Sequence, residues 1–312
     1  LLWYFLWATR CAHALGKPCL AYAVDAGAMS TFNQRLTRRI ASQTDSIIAR
    51  SQAAVDRLRS WGETAPMLAT ADNAFNFCPA PADADFVQRC WPEAAGGAVG
   101  MALVDFHRWP VVVRLWGRQD ECYRWPYYFS WSAARRRASQ ELAAGYAALA
   151  DQLIDRHDKP IALLCMEQLD EPLARAVQAG MAHADRARIF SARQYNASQM
   201  TLLLRSLDLL ITSRYHACVL SLAAQVPQIA VGHDLRLKSI YAELGLADEF
   251  FIQPDSEAMF AMLQSRAEQL LANPEAVEQR LYRGYLAHLA KARENRQLLW
   301  EFVQAHGWKV EL

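Results

Sequence analysis

An arginine and a histidine close an apolar run at Ile211-Thr212-Ser213-Arg214-Tyr215-His216-Ala217, and His233, Asp234 and Lys238 follow soon after. A buried strand that ends on such groups is chemically sensible when they face a cleft. Arg214 can grip a carboxylate or phosphate through two parallel hydrogen bonds. His216 suits proton transfer, because imidazole titrates near neutral pH and a short strand-to-helix turn holds it rigidly. A helix expected to start at His216 or Ala217 would add its unpaired N–H groups to an anion site. Lys238 either neutralises a phosphate or stands solvated beside Arg236, and Arg214 and His216 have a plainer alternative as a structural ion pair and a helix-start cap. The sharper reading is an enzyme that handles an anion.

The first half of the chain offers Asp25, Arg50, Asp72 and Asn73, each placed just after an apolar run. In open α/β sheets the loops after the strands line the ligand crevice. Asp72 and Asn73 either bind sugar hydroxyls or make turns, as Asx residues after strands commonly do. Arg50 either enters the crevice or pairs locally with Asp56. Cys11, Cys19, Cys78, Cys90, Cys122, Cys165 and Cys218 are scattered, with no CxxC pair, which reads as reduced, cytoplasmic usage. With no compact cluster of carboxylates and histidines either, no metal site is expected.

These residues need elements to hold them. The chain has 312 residues, 53% hydrophobic and 21% charged, so it can build two cores, and a net charge of +1 argues against a nucleic-acid surface. Leu1 to Trp7 resembles a membrane segment, but Arg10, His13 and Lys17 interrupt it too early, so a buried helix is expected. Strands are predicted at 19–24, 46–49, 67–70, 98–104, 160–165, 188–190, 209–211 and 228–231, with helices between them, Ser51 capping one that stops at Gly62. The aromatic stretch from Trp109 to Trp131 reads as an irregular core or lid, with sugar stacking as the sharper alternative. Gly96-Gly97-Ala98-Val99-Gly100 precedes its strand, unlike a dinucleotide fingerprint. Pro79 to Gly97 has linker composition, giving an N-terminal domain over 1–95 and a C-terminal one over 96–312, with terminal helices packing back across both. The first domain is expected to be incomplete at its N-terminus.

Taken in order, Gly16-Lys17-Pro18, Asp25-Ala26-Gly27-Ala28, Ile47-Ile48-Ala49-Arg50-Ser51, Ala71-Asp72-Asn73-Ala74-Phe75, Asp208 to Ala217, Val226-Pro227-Gln228-Ile229 and Leu244-Gly245-Leu246 resemble the polysaccharide pyruvyl transferase family. The resemblance implies an α/β fold of two Rossmann-like domains like that of a GT-B glycosyltransferase. It further implies transfer of pyruvate from phosphoenolpyruvate to a sugar of a cell-surface polysaccharide or its lipid-linked precursor, forming a cyclic ketal. His216 and Arg214 would be catalytic, Arg214, Lys238 and Arg50 would hold the donor, and Asp72, Asn73 and Asp25 the acceptor, with His233 and Asp234 nearby. No cofactor is required by that scheme. The expected partners are phosphoenolpyruvate and a saccharide acceptor, in the cytoplasm with peripheral contact at the inner face of the membrane. Two alternatives stand beside it: a GT-B-like glycosyltransferase using a nucleotide sugar, and a non-catalytic glycan-binding or structural member.

Overall fold

The computed structural model describes residues 2–108 and 111–308, Asp120 by its backbone alone. Trp109 of the aromatic stretch lies outside the described residues. The chain divides into two compact units, Leu1–Phe77 with Tyr282–Leu312, and Cys78–Leu281.

The first unit opens with α1 (Leu2–Ala14), β1 (Leu20–Val24), α2 (Thr31–Ala41), β2 (Ser46–Ala49), α3 (Gln52–Ser60) and β3 (Met67–Ala69). The three strands pair in parallel in the order β1-β2-β3. Ser51 caps α3 by accepting from the Ala54 N–H, and Gly62 after it takes a φ of 85°, a left-handed conformation that glycine adopts without strain. Ile47, Val55, Leu58 and Ala65 are buried around this sheet. The first helix departs from expectation. It packs on α2 and buries Leu6, but Trp3, Tyr4, Phe5 and Trp7 are exposed.

The second unit contains α4 (Phe86–Cys90), β4 (Val99–Ala102), β5 (Val111–Val113), β6 (Cys122–Arg124), β7 (Tyr127–Phe129), α5 (Ala133–His157), β8 (Ile161–Cys165), α6 (Glu171–Gly180), β9 (Ala187–Ser191), α7 (Ala197–Arg205), β10 (Leu209–Thr212), α8 (Tyr215–Ser221), β11 (Gln228–Val231), α9 (Leu235–Glu243), α10 (Ala247–Phe250), β12 (Phe251–Ile252) and α11 (Met259–Ala272). Its main sheet is parallel, with spatial order β12-β11-β10-β4-β8-β9. Counted from β4, that is the 3-2-1-4-5-6 order of doubly wound nucleotide-binding sheets, and the order reverses between β4 and β10. Both faces are covered, so β4, β8, β10 and β11 are buried at every position and read as continuous apolar runs. Gly100 lets Leu207 pack flat on β4, since a Cβ there would stand 2.3 Å from the Leu207 Cδ1.

The stretch expected to be irregular is a second sheet. β5, β7 and β6 pair antiparallel in the order β5-β7-β6, inserted between β4 and α5. Its signals were the β-branched run Val111-Val112-Val113 and the aromatic run Tyr127-Tyr128-Phe129.

Finally α12 (Glu275–Ala305) leaves the second unit and joins the first from Tyr282 on. There the fully buried Asn295 donates to the Ala71 carbonyl at 2.8 Å and to the Asn73 Oδ1 at 2.9 Å, while the Thr70 hydroxyl donates to its Oδ1 at 2.5 Å. His288 stacks on the Phe75 ring with centroids 4.8 Å apart. The helix thereby fastens the turn that follows β3.

Candidate active site

Within the first unit the expected site residues gather after consecutive strands. Arg50, after β2, donates to Asp72, after β3, at 2.6 Å, and approaches Asp25, after β1, at 3.4 Å. Arg57 adds a contact to Asp25 at 3.8 Å. Asp72 also caps the turn at Asn73–Asn76 by accepting from the Ala74 N–H, so the turn-making reading of this residue holds. Asp56 is not the partner of Arg50; it accepts from Gln52 at 2.7 Å. Asn73 is held by Asn295. Two carboxylates around one guanidinium thus form a pinned ionic cluster.

In the second unit, the loops after β4, β8 and β10 meet around the point where strand order reverses. Arg214 directly follows the Thr212-Ser213 end of β10 and is the N-cap residue of α8, which begins at Tyr215, earlier than expected. Its Nε lies 3.1 Å from both oxygens of Asp170, its Nη2 donates to the same carboxylate, and its Nη1 lies 3.3 Å from Glu167. Asp170 sits after β8 and is 2% exposed. Burial pushes its carboxyl above the usual range, against the opposing pull of Arg214 and the Glu167 N–H. A buried carboxylate therefore relies on this arginine, which gives Arg214 a structural task beside any ligand-binding one.

Asp105, after β4, is a second buried carboxylate. It accepts from Ser139 of α5 at 2.7 Å, from the His107 N–H at 3.0 Å and from Arg108 at 3.3 Å. The Arg108 guanidinium in turn lies over the Phe129 ring at 5.5 Å and the Trp131 ring at 5.7 Å. Asp105, Arg108, Phe129, Glu167, Asp170 and Arg214 surround a cavity of about 50 Å³. A larger one of about 430 Å³ shares Arg108, Phe129, Glu167 and Leu169 and is lined as well by Cys122 and Tyr123 of the inserted sheet. Cys165, at the end of β8, is no nucleophile: burial and the neighbouring Asp170 and Glu171 push its thiol up to about 12.

The remaining expected residues follow β10 and β11. His216 and His233 are exposed, and the His233 ring meets Phe106 of the loop after β4 edge-on at 5.8 Å. Asp234 caps α9 by accepting from the Arg236 N–H at 2.8 Å and pairs with the Arg236 side chain at 2.5 Å. Burial raises its carboxyl, but these bonds and the Leu237 N–H outweigh that and leave it below its ordinary value. Lys238 is exposed in the first turns of α9. Sequence reasoning missed Asp105, Arg108, Glu167 and Asp170; their signal was a position just after a buried strand, the same one that singled out Arg214.

Residues 1–234 match the model of the polysaccharide pyruvyl transferase family. The chain belongs to that family. Among curated proteins nothing matches it. Among solved structures it is similar to HepE of Anabaena in complex with UDP, at 11% identity over 98% of this chain and 77% of that one, with a TM-score of 0.58. It is similar to UDP-GlcNAc 2-epimerase of Neisseria meningitidis bound to UDP-GlcNAc, at 9% identity over 95% and 73%, with a TM-score of 0.61. A UDP-forming α,α-trehalose-phosphate synthase of Burkholderia xenovorans follows at 11% identity over 96% and 71%, with a TM-score of 0.55. At such identities the likeness is one of fold, and it is the α/β, GT-B-like Rossmann fold that the resemblance implied. The expected donor is corrected. Phosphoenolpyruvate as substrate and partner, with a cyclic ketal as product, gives way because the proteins sharing this fold are described with UDP or UDP-sugars. Among the described residues no helix is long and apolar enough to cross a membrane.

Proposed function

We propose that this chain is a GT-B-like enzyme that binds a nucleotide diphospho-sugar at the second unit and transfers its glycosyl group to a saccharide acceptor. The observation that carries the reading is the parallel sheet with its 3-2-1-4-5-6 order, whose reversal point is bordered by a charged cavity and by Arg214. The UDP and UDP-sugars named for similar folds agree with it.

The division of charge suggests where each part of the donor goes. The ends of β10 and β11 carry Arg214, His233 and Lys238, which suit a diphosphate. The ends of β4 and β8 carry Asp105, Glu167 and Asp170, which suit hydroxyl groups rather than another anion. In the transfer step an acceptor hydroxyl oxygen bonds to the anomeric carbon as the bond from that carbon to the diphosphate oxygen breaks. His216 takes the hydroxyl proton, and the nucleoside diphosphate departs with the bonding electrons, its charge met by Arg214 and Lys238. Within the first unit, Arg50 fixes the Asp25 and Asp72 carboxylates.

The test is release of UDP from UDP-sugars incubated with the full chain and a panel of sugar and sugar-lipid acceptors. His216→Ala is expected to slow turnover about 100-fold or more while leaving UDP affinity intact. Turnover unchanged by that substitution removes the base, and no UDP release with any pair removes the reading.

A further inference from the structure

The larger cavity of the second unit is lined in part by the inserted sheet, an element outside the doubly wound plan. It is lined by Tyr123 and Cys122 of β6 and Phe129 of β7, by Glu167 and Gln168 from the stretch between β8 and α6, and by Pro172 in the first turn of α6. Its volume of about 430 Å³ falls in the range of small-molecule sites, roughly 300–1,000 Å³. The lining is selective in kind. Tyr123, 42% exposed, backs onto Phe129 with centroids 5.9 Å apart, giving a supported aromatic face. Around it stand the amides of Gln119 and Gln168 and the Glu167 carboxylate, whose side chain is 58% exposed.

Charge decides the class of ligand further. Among the described residues, Arg108 and Glu167 are the charged groups on this lining, one of each sign, and both are committed: Arg108 to Asp105 at 3.3 Å, Glu167 to Arg214 at 3.3 Å. A phosphate or carboxylate would meet no surplus cation here. A neutral ligand with one apolar face and a rim of hydroxyls matches the wall: carbon-bound hydrogens pack on an aromatic face, while amides and a carboxylate satisfy hydroxyls in both directions.

We infer that this cavity is a pyranose subsite for a neutral sugar, with Tyr123 as its stacking face and Gln119, Gln168 and Glu167 as its hydroxyl partners. It rests on the nucleotide-sugar reading for its place in the reaction, since the ring held there is either the donor's or the acceptor's. Its sharing of Arg108 and Glu167 with the small cavity beside Arg214 sets the sugar next to the anion side of the site.

The experiment uses the full chain and its Tyr123→Ala and Gln168→Ala variants, with UDP, UDP-glucose, methyl glucoside and methyl glucuronide as probes, read by calorimetry and saturation-transfer NMR. A stacking contact of this kind accounts for about tenfold in affinity. If the ring is the donor's, UDP-glucose binds more tightly than UDP and Tyr123→Ala removes the difference; if it is the acceptor's, methyl glucoside binds alongside UDP and Tyr123→Ala weakens it. In both cases UDP affinity is unchanged in the variants and the neutral glucoside is preferred over the glucuronide. Sugar binding that neither substitution alters, or a preference for the glucuronide, overturns the subsite. Wild-type protein that ignores UDP yet holds methyl glucoside through Tyr123 sinks the nucleotide reading and upholds the subsite.

Discussion

Arg214 carries two tasks at once, and they can be separated. Its guanidinium neutralises the 2% exposed Asp170, so Arg214→Ala leaves a buried carboxylate without its cation. Breaking such a pair costs about 2–4 kcal/mol, toward the lower end because the arginine side chain itself is 20% exposed. In the variant Asp170 can escape by taking up a proton, and burial already favours its neutral form. The deficit measured by urea unfolding is therefore expected to shrink as pH falls, and Arg214→Ala with Asp170→Asn is expected to recover more than half of it. A deficit independent of both pH and Asp170 contradicts this account. Arg214 was legible as a strand-end cation, but its partner was not: Asp170 lies 44 positions away, and single-sequence patterning does not pair side chains across a sheet.

At the scale of elements, apolar runs and turn residues made the parallel strands legible, because burial on both faces leaves a continuous hydrophobic signature. The small antiparallel sheet escaped notice since its strands are short and partly exposed, with burial patterns far from the uniform one of β8. The start of α3 was read from its cap at Ser51, whereas α8 starts on Arg214, which makes no side-chain cap bond, and so was placed late. For α9 the cap gives a test. Asp234→Asn keeps a good N-cap residue but removes the ion pair with Arg236, a loss of about 1 kcal/mol or less at neutral pH. The Asp234 carboxyl is below its unfolded value, so its contribution is present above the unfolded pKa and is lost as pH falls through the lower folded one. Chemical unfolding should find wild type ahead at neutral pH and the two proteins converging in acid. A gap that widens on acidification reverses the sign and the argument.

On the scale of the molecule, the second unit is a doubly wound sheet whose strand order reverses between β4 and β10, and the first unit brings Asp25, Arg50 and Asp72 to the ends of its own strands. Family membership was legible because its motifs recur in order along the chain; the donor was not, because arginine, histidine and lysine placed after strands suit many phosphorylated substrates. The central claim is that the folded chain binds a nucleoside diphosphate. Ligand bound to the native state alone stabilises it by about 2.7 kcal/mol at a hundredfold excess over Kd, so a UDP titration followed by both calorimetry and thermal unfolding measures it directly. The account predicts saturable heat with UDP and a rise in Tm that grows with its concentration. No heat and no change in Tm up to millimolar UDP would contradict it.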